Sequence, residues 1–469
     1  MKKDSYDMSK EELRRQRRKQ EQMRAYGILA IILVVGIALL GGIGFGIYSF
    51  INRESAEETQ EVVVEEEPII VEEPEPVVSV NEVAEETQEE AEDEESDILL
   101  PTEATDEMKT EILDEYIARY VDEMTLEQKV AGLFFITPEE LTGVNDVTNG
   151  GSTLSNALGE YPVGGLYLTE ANMESPEQLK EMIFNIKSSA QNEIFIGISE
   201  IGGEESPLVA SGLTEAVISD QAALGEAGDN SAAYMAGIAI GNQMNEYGVN
   251  TVIGPLADVA MEEDGFTSAD SFGSDPTLVK DMVRNTVHGI EDQNVNCCVK
   301  FFPGYGDVNK SPENARPTSD RTKEDIVEQD YPIYDDVISG GADFIMVSQI
   351  AYDSITEDVP ACLAPEVVTD MLRGELEYNG IVITDNLDTR SIVMHYKHAD
   401  MAVMAIQAGA DMLFCSGDFK KAYNGILDAV AKGDITEERI NESIYRIYRV
   451  KYKNMVDYDT IAREKGWIE

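Results

Sequence analysis

GIVITDNLD, residues 380–388, is a short run of β-branched residues that ends abruptly in Asp385 and turns polar. Four apolar or β-branched positions in succession, without alternation, describe a strand buried on both faces rather than one with a wet side. Seven other runs of the same kind lie in the chain: VAGLFFI (130–136), GGLYLT (164–169), EIFIGIS (193–199), VNTVIGP (249–255), CCVKFFP (297–303), ADFIMVS (342–348) and ADMLFC (410–415). Helical patterns fall between them, among them PEQLKEMIFNIKSSAQN and AAYMAGIAIGNQMNEYG, and the chain closes with the amphipathic ITEERINESIYRIYRVKYK. Apolar strands alternating with helices imply a parallel sheet covered on both faces. Eight such units over about 340 residues favour an α/β, TIM-like (β/α)8 barrel over an open sheet.

The barrel accounts for residues 109–469. Ahead of it, GILAIILVVGIALLGGIGFGIYSFI (27–51) is an uncharged apolar run of 25 residues, enough to span a hydrocarbon core of about 30 Å. It is longer than the apolar part of a cleaved signal peptide, so it is expected to be an uncleaved transmembrane helix. The basic RRQRRK (14–19) precedes it and an acidic stretch follows. The positive-inside rule then places residues 1–26 in the cytoplasm and the rest outside. The expectation is a single-pass protein of the cell membrane with an extracellular barrel. Residues 52–108 read as an acidic disordered linker: positions 54–108 hold 23 Asp and Glu and no Lys or Arg. Same-sign charge without aromatic residues cannot bury a core, and its self-repulsion extends the chain.

The formal net charge is −56, and residues 109–469 alone carry 25 basic and 63 acidic side chains. Such a surface repels phosphate backbones, which argues against a nucleic-acid partner. The four cysteines form no CxxC pair and no zinc-like spacing. They read as small buried hydrophobes, and neither a metal nor an organic cofactor is implied.

In barrels of this kind the site lies at the C-terminal ends of the strands. The residues just past the runs are rich in carboxylates: Glu200, Asp258, Asp307, Glu313, Asp385 and Asp388. Lys300 sits in the fifth run, ahead of the loop 303–317, which reads PGYGDVNKSPENARP. No His stands at a strand end; His395 and His398 follow the seventh run at i, i+3 and read as ordinary helix or surface residues. Paired carboxylates at a barrel mouth suit glycoside hydrolysis, in which one ionised carboxylate attacks and a second group serves as acid and then base. Asp385 is the candidate nucleophile, since a rigid strand would hold it at the rim; a bare helix-capping Asp is the competing reading.

MTLEQKVAGLFF, PVGGLYL, GPLADV with SFGSDP soon after, KFFPGYGD, VPACLAPEVVTDMLRGELEYNGIVITDNLD and AIQAGADMLF follow one another in this order. Together they resemble bacterial β-N-acetylhexosaminidases of glycoside hydrolase family 3, the type that trims peptidoglycan fragments, over roughly residues 118–455. The resemblance implies a TIM-like barrel and makes Asp385 the nucleophile, Lys300 and Asp258 substrate-binding residues, and a cell-wall glycan the carbohydrate partner. It also exposes departures. The family's pattern KHFPGHGDTxxDSHxxLP has His where this chain has Phe301 and Tyr305. Its acid/base His and the Asp that orients it correspond to Glu313 and Ser311. An Arg and a sugar-binding Asp elsewhere in the pattern correspond to Asp270 and Ser199. Glu313 is the candidate replacement acid/base, because a carboxyl group in an apolar or anionic setting can act as an acid. Two readings therefore stay open: a membrane-anchored hydrolase with Asp385 and Glu313 as its catalytic pair, and a catalytically inactive barrel that binds glycan or protein at the cell surface.

Overall fold

The structure, a computed structural model, describes residues 100–469. The expected transmembrane segment 27–51 and almost all of the expected linker lie outside the described residues. Among the described residues no helix is long and apolar enough to cross a membrane.

The eight apolar runs each contain a strand: β1 Phe134–Ile136, β2 Gly165–Tyr167, β3 Phe195–Ser199, β4 Thr251–Leu256, β5 Asn296–Phe302, β6 Phe344–Val347, β7 Ile381–Thr384 and β8 Leu413–Phe414. All neighbours pair in parallel, in the order β8-β1-β2-β3-β4-β5-β6-β7. The seam between β7 and β8 is joined by one bridge, Ile383 to Met412, and by the Thr384 N–H donating to the Met412 carbonyl at 3.1 Å. The result is a nearly closed, TIM-like barrel.

Its interior is aromatic. The Phe135 ring stacks on Phe195 at 6.2 Å, and Phe195 meets Phe344 edge-on at 4.9 Å. Gly197 makes room for this packing: a Cβ there would stand 2.6 Å from the Phe135 ring. Large side chains facing small ones fill a barrel interior at the density of a protein core.

Helices cover the outside, and local sequence signals set their ends. Ser175 caps Pro176–Ser189 with a reciprocal Gln178 bond and Pro at the first turn; Gly248 ends Asn230–Tyr247 in the left-handed conformation. The first apolar run differs from its reading as one strand. Thr125 and Gln128 form a capping box that starts a helix, Leu126–Gly132, so Val130–Gly132 are helical and only the last three residues of the run pair. The helix Asp106–Glu123, capped by Thr105, packs against Glu437–Tyr452. The expected linker boundary at residue 108 thus falls inside a helix.

Candidate active site

The loops that follow the strands gather at one end of the barrel, and Asp385, the first residue after β7, stands there with 8% of its surface exposed. Its Oδ1 accepts the Asn386 N–H at 2.6 Å and its Oδ2 accepts the Tyr305 hydroxyl at 2.7 Å. Burial pushes the carboxyl up to about 6; the Tyr305 and Asn386 hydrogen bonds and the charge of Lys300 oppose that rise. Desolvation is therefore the largest influence on this group, and it remains largely ionised at neutral pH.

Lys300 lies in β5, and its Nζ donates to Ser199 Oγ at the end of β3, at 3.1 Å. Burial lowers its pKa, while Cys298, Asp385, Asp270 and Asp258 support the charge. Lys300 and Asp385 thus act on each other's charge without forming a direct ion pair.

Asp258, just past β4, is 1% exposed. Both of its oxygens accept main-chain donors: Oδ1 from the Phe301 N–H near the end of β5 at 3.3 Å and Oδ2 from the Tyr305 N–H in the loop that follows at 3.1 Å. Burial raises its carboxyl to about 6, against the hydrogen bonds of Thr267 and these two amides. In this state Asp258 fixes a loop.

Glu313 is brought to the same end of the barrel without joining the group. Its loop is tied to the segment behind Asp385, since the Ser391 N–H donates to the Pro312 carbonyl at 3.0 Å. The Glu313 side chain itself is exposed, and its own N–H donates to Ser311 Oγ at 3.3 Å. Asp270 is also exposed, with Glu205, Lys300 and Asp220 acting on its charge. His398 donates through Nδ1 to the Ser416 carbonyl at 3.1 Å.

Sequence reasoning singled out neither Tyr305 nor Gln349 as a working residue. Tyr305 is fully buried. Gln349, after β6, uses its main-chain N–H to bond the Tyr305 hydroxyl at 2.7 Å and its side-chain amide to bond the Asn386 carbonyl at 2.7 Å. Thr389 and Ser391 donate to its Oε1. One residue thereby joins three loops. The signal for Tyr305 was its place inside PGYG. Gly306 lets that loop lie against the loop after β4: a Cβ there would stand 1.9 Å from the Val259 carbonyl. Glu140, beyond β1, was missed as well. It accepts the Ser416 hydroxyl, and burial raises its carboxyl to about 7 despite that bond, with the nearby charge of Asp388 adding to the rise.

A buried carboxylate with two directed donors, a facing ammonium and a rim of further carboxylates can stabilise positive charge and can attack an electrophilic carbon. The profile of the glycosyl hydrolase family 3 N terminal domain matches residues 125–450. The chain is 25% identical over 329 residues to beta-hexosaminidase A of Pseudoalteromonas piscicida, covering 64% of this chain and 55% of that protein. It is 27% identical over 313 residues to a beta-hexosaminidase of Idiomarina loihiensis, covering 65% of this chain and 90% of that one. Among solved structures, a glycoside hydrolase family 3 beta-N-acetylglucosaminidase from Paenibacillus superposes with a TM-score of 0.67 at 29% identity, over 71% of this chain and 63% of its own. The chain thus spans little more than half the length of the Pseudoalteromonas relative.

Proposed function

Because the chain belongs to glycosyl hydrolase family 3, we propose that its barrel is a retaining β-N-acetylhexosaminidase-type hydrolase acting on N-acetylglucosamine-containing glycans of the cell wall. Residues 27–51 would anchor it in the membrane with the barrel outside. The observation that carries the catalytic reading is Asp385: a buried, directionally hydrogen-bonded carboxylate at the C-terminal end of β7, faced by Lys300. In the first step an Asp385 oxygen bonds to the anomeric carbon as the glycosidic C–O bond breaks, and the leaving oxygen takes a proton from an acid. In the second, water attacks that carbon, the bond to Asp385 breaks, and the water's proton passes to the same group, now a base. Glu313 is the candidate for this second role, and it must move inward with its loop to fill it. Lys300 would bind sugar hydroxyls.

Release of an aryl leaving group from aryl N-acetylglucosaminides tests the proposal. The full-length chain is expected to release it and Asp385→Ala to abolish release. Silence of the unmutated protein over a panel of aryl glycosides would sink the hydrolase reading.

The exposed Glu313 carboxylate and the acidic Asp270 favour a second reading, a barrel that binds glycan without cleaving it. Calorimetry with peptidoglycan fragments would then show heat where no hydrolysis occurs.

A further inference from the structure

We infer that Tyr305 is the positioning residue for Asp385, holding the carboxylate ionised and aimed through a hydroxyl whose proton has only one place to go. The inference rests on the hydrolase reading for its catalytic consequence, and on geometry alone for the interaction itself.

The polarity of the hydroxyl is set by its two partners. Gln349 reaches it with a main-chain N–H, which can only donate, at 2.7 Å. The oxygen of Tyr305 therefore accepts there, and its single proton points to Asp385 Oδ2, 2.7 Å away. A protonated Asp385 would have to turn that proton elsewhere, and only 8% of the residue is exposed to receive it. The arrangement favours the ionised nucleophile.

The ring cannot drift. Phe301 and Phe266 meet it edge-on at 4.9 and 5.4 Å, and Asp258 holds its main-chain N–H at 3.1 Å. Asp258 thus acts on Asp385 through Tyr305. With Oδ1 held by Asn386 and Oδ2 by Tyr305, rotation of the carboxylate would break both bonds. A retaining enzyme needs its nucleophile fixed within a fraction of an ångström of the anomeric carbon. The family pattern has His at this position; a phenol keeps a donor there and loses the option of a positive charge.

The titratable groups that face Asp385 are Lys300 and Cys298 from β5, Tyr305 from its loop, Cys362 from the short helix Ala361–Leu363, and Cys415 after β8. Burial pushes the three thiols up, so they stay neutral, and Lys300 is the one basic group among these neighbours, its pKa lowered by the same burial.

Two isosteric variants of the full-length chain test the inference: Tyr305→Phe, which removes the donor, and 3-fluorotyrosine at 305, which strengthens it. The first readout needs no turnover: the Asp385 carboxyl is titrated by NMR with 13C-labelled aspartate, and Asp385→Asn identifies its signal. Tyr305→Phe is expected to raise the midpoint by about one to two pH units, since a hydrogen bond to a charged group is worth roughly that much. Fluorotyrosine is expected to lower it. An unmoved midpoint in the folded variants overturns the inference. Should Tyr305→Phe fail to fold, the fluorotyrosine arm decides alone. The second readout is covalent labelling of Asp385 by a 5-fluoro-N-acetylglucosaminyl fluoride, followed by mass spectrometry across pH. Its acid limb is expected to move with the NMR midpoint, and the labelling rate of Tyr305→Phe at pH 6 to fall about fivefold or more. A moved midpoint with no labelling of the unmutated chain keeps the positioning role and rejects the hydrolase.

Discussion

Asp385 and Asp411 are both buried aspartates beside the ends of short strands, and the fold drives them in opposite directions. Burial raises each. At Asp385 the opposing influences are hydrogen bonding by Tyr305, Asn386 and the Gln349 side chain and the charge of Lys300, and the carboxyl still rises to about 6. At Asp411, which is wholly buried, Arg373, Arg446 and Arg439 outweigh burial and hold the carboxyl below the usual range. Residue type alone says nothing of this; the number of cations within reach decides it. Glu313 poses the complementary question, because its side chain is exposed while its loop is tied to the segment behind Asp385. If Glu313 supplies the proton, Glu313→Gln should lower kcat/KM for glycosides with poor leaving groups by roughly 10²–10⁴-fold and barely affect kcat/KM for dinitrophenyl glycosides, whose departure needs no acid. Equal rates for both substrates in the variant and the unmutated protein would remove Glu313 from the mechanism.

The elements meet at two knots, one at each end of the barrel. At the mouth, the loops after β5, β6 and β7 converge on Gln349 and Tyr305, and a two-residue parallel ladder, Thr318–Ser319 with Ala351–Tyr352, holds the first two together. At the other end Asp411 ties three elements. It bonds the Val382 N–H of β7 at 3.0 Å, Arg373 of the π-helix Glu366–Glu375, and Arg446 and Ser443 of Glu437–Tyr452 at 2.9 and 2.7 Å. This network also supports the seam at which β7 and β8 close the sheet, so Asp411→Asn is expected to destabilise the barrel by roughly 3–5 kcal/mol. Chemical denaturation checks it; a loss under about 1 kcal/mol would show that the three arginines find water or each other at little cost. The helix starts belong to this scale too. The capping contacts of Thr105, Thr125 and Ser175 reach only three residues along the chain, so local sequence alone sets them. The last turn of the helix Leu126–Gly132 was read as strand because Val130–Gly132 open an apolar run, and three such residues in succession fit a helix turn and a strand equally well.

Among the described residues, carboxyls raised by burial outnumber those held low. Burial pushes Glu140 and Asp330 to about 7, and Asp258 and Asp385 to about 6. These folded values exceed the unfolded ones near 4, so between about pH 7.5 and pH 5 the folded state binds more protons than the unfolded chain. Stability must then fall as pH rises through that window. Lys451, lowered by burial to about 7, works the other way, but only above pH 7, where the unfolded chain holds its proton and the folded state does not. The expectation is a melting temperature several degrees higher at pH 5.5 than at pH 7.5, to be read by scanning calorimetry at constant ionic strength. A flat or inverted profile would mean that these carboxylates are better solvated than their burial implies. The excess of acidic surface charge strengthens the same trend.

The sequence by itself determined the architecture and the position of the nucleophile candidate. Eight unbroken apolar runs separated by amphipathic helices admit few other arrangements, and Asp385 follows its strand by covalent connection. Periodicity and connection are local properties, so they survive without knowledge of the fold. Tertiary structure decided what surrounds that carboxylate. It placed Tyr305, 80 residues away in sequence, on Oδ2. It turned Asp258 toward the main chain of a loop and left Glu313 in water. Those outcomes depend on which loops meet across the mouth and on how much water each excludes, quantities that exist only once the eight strands have closed.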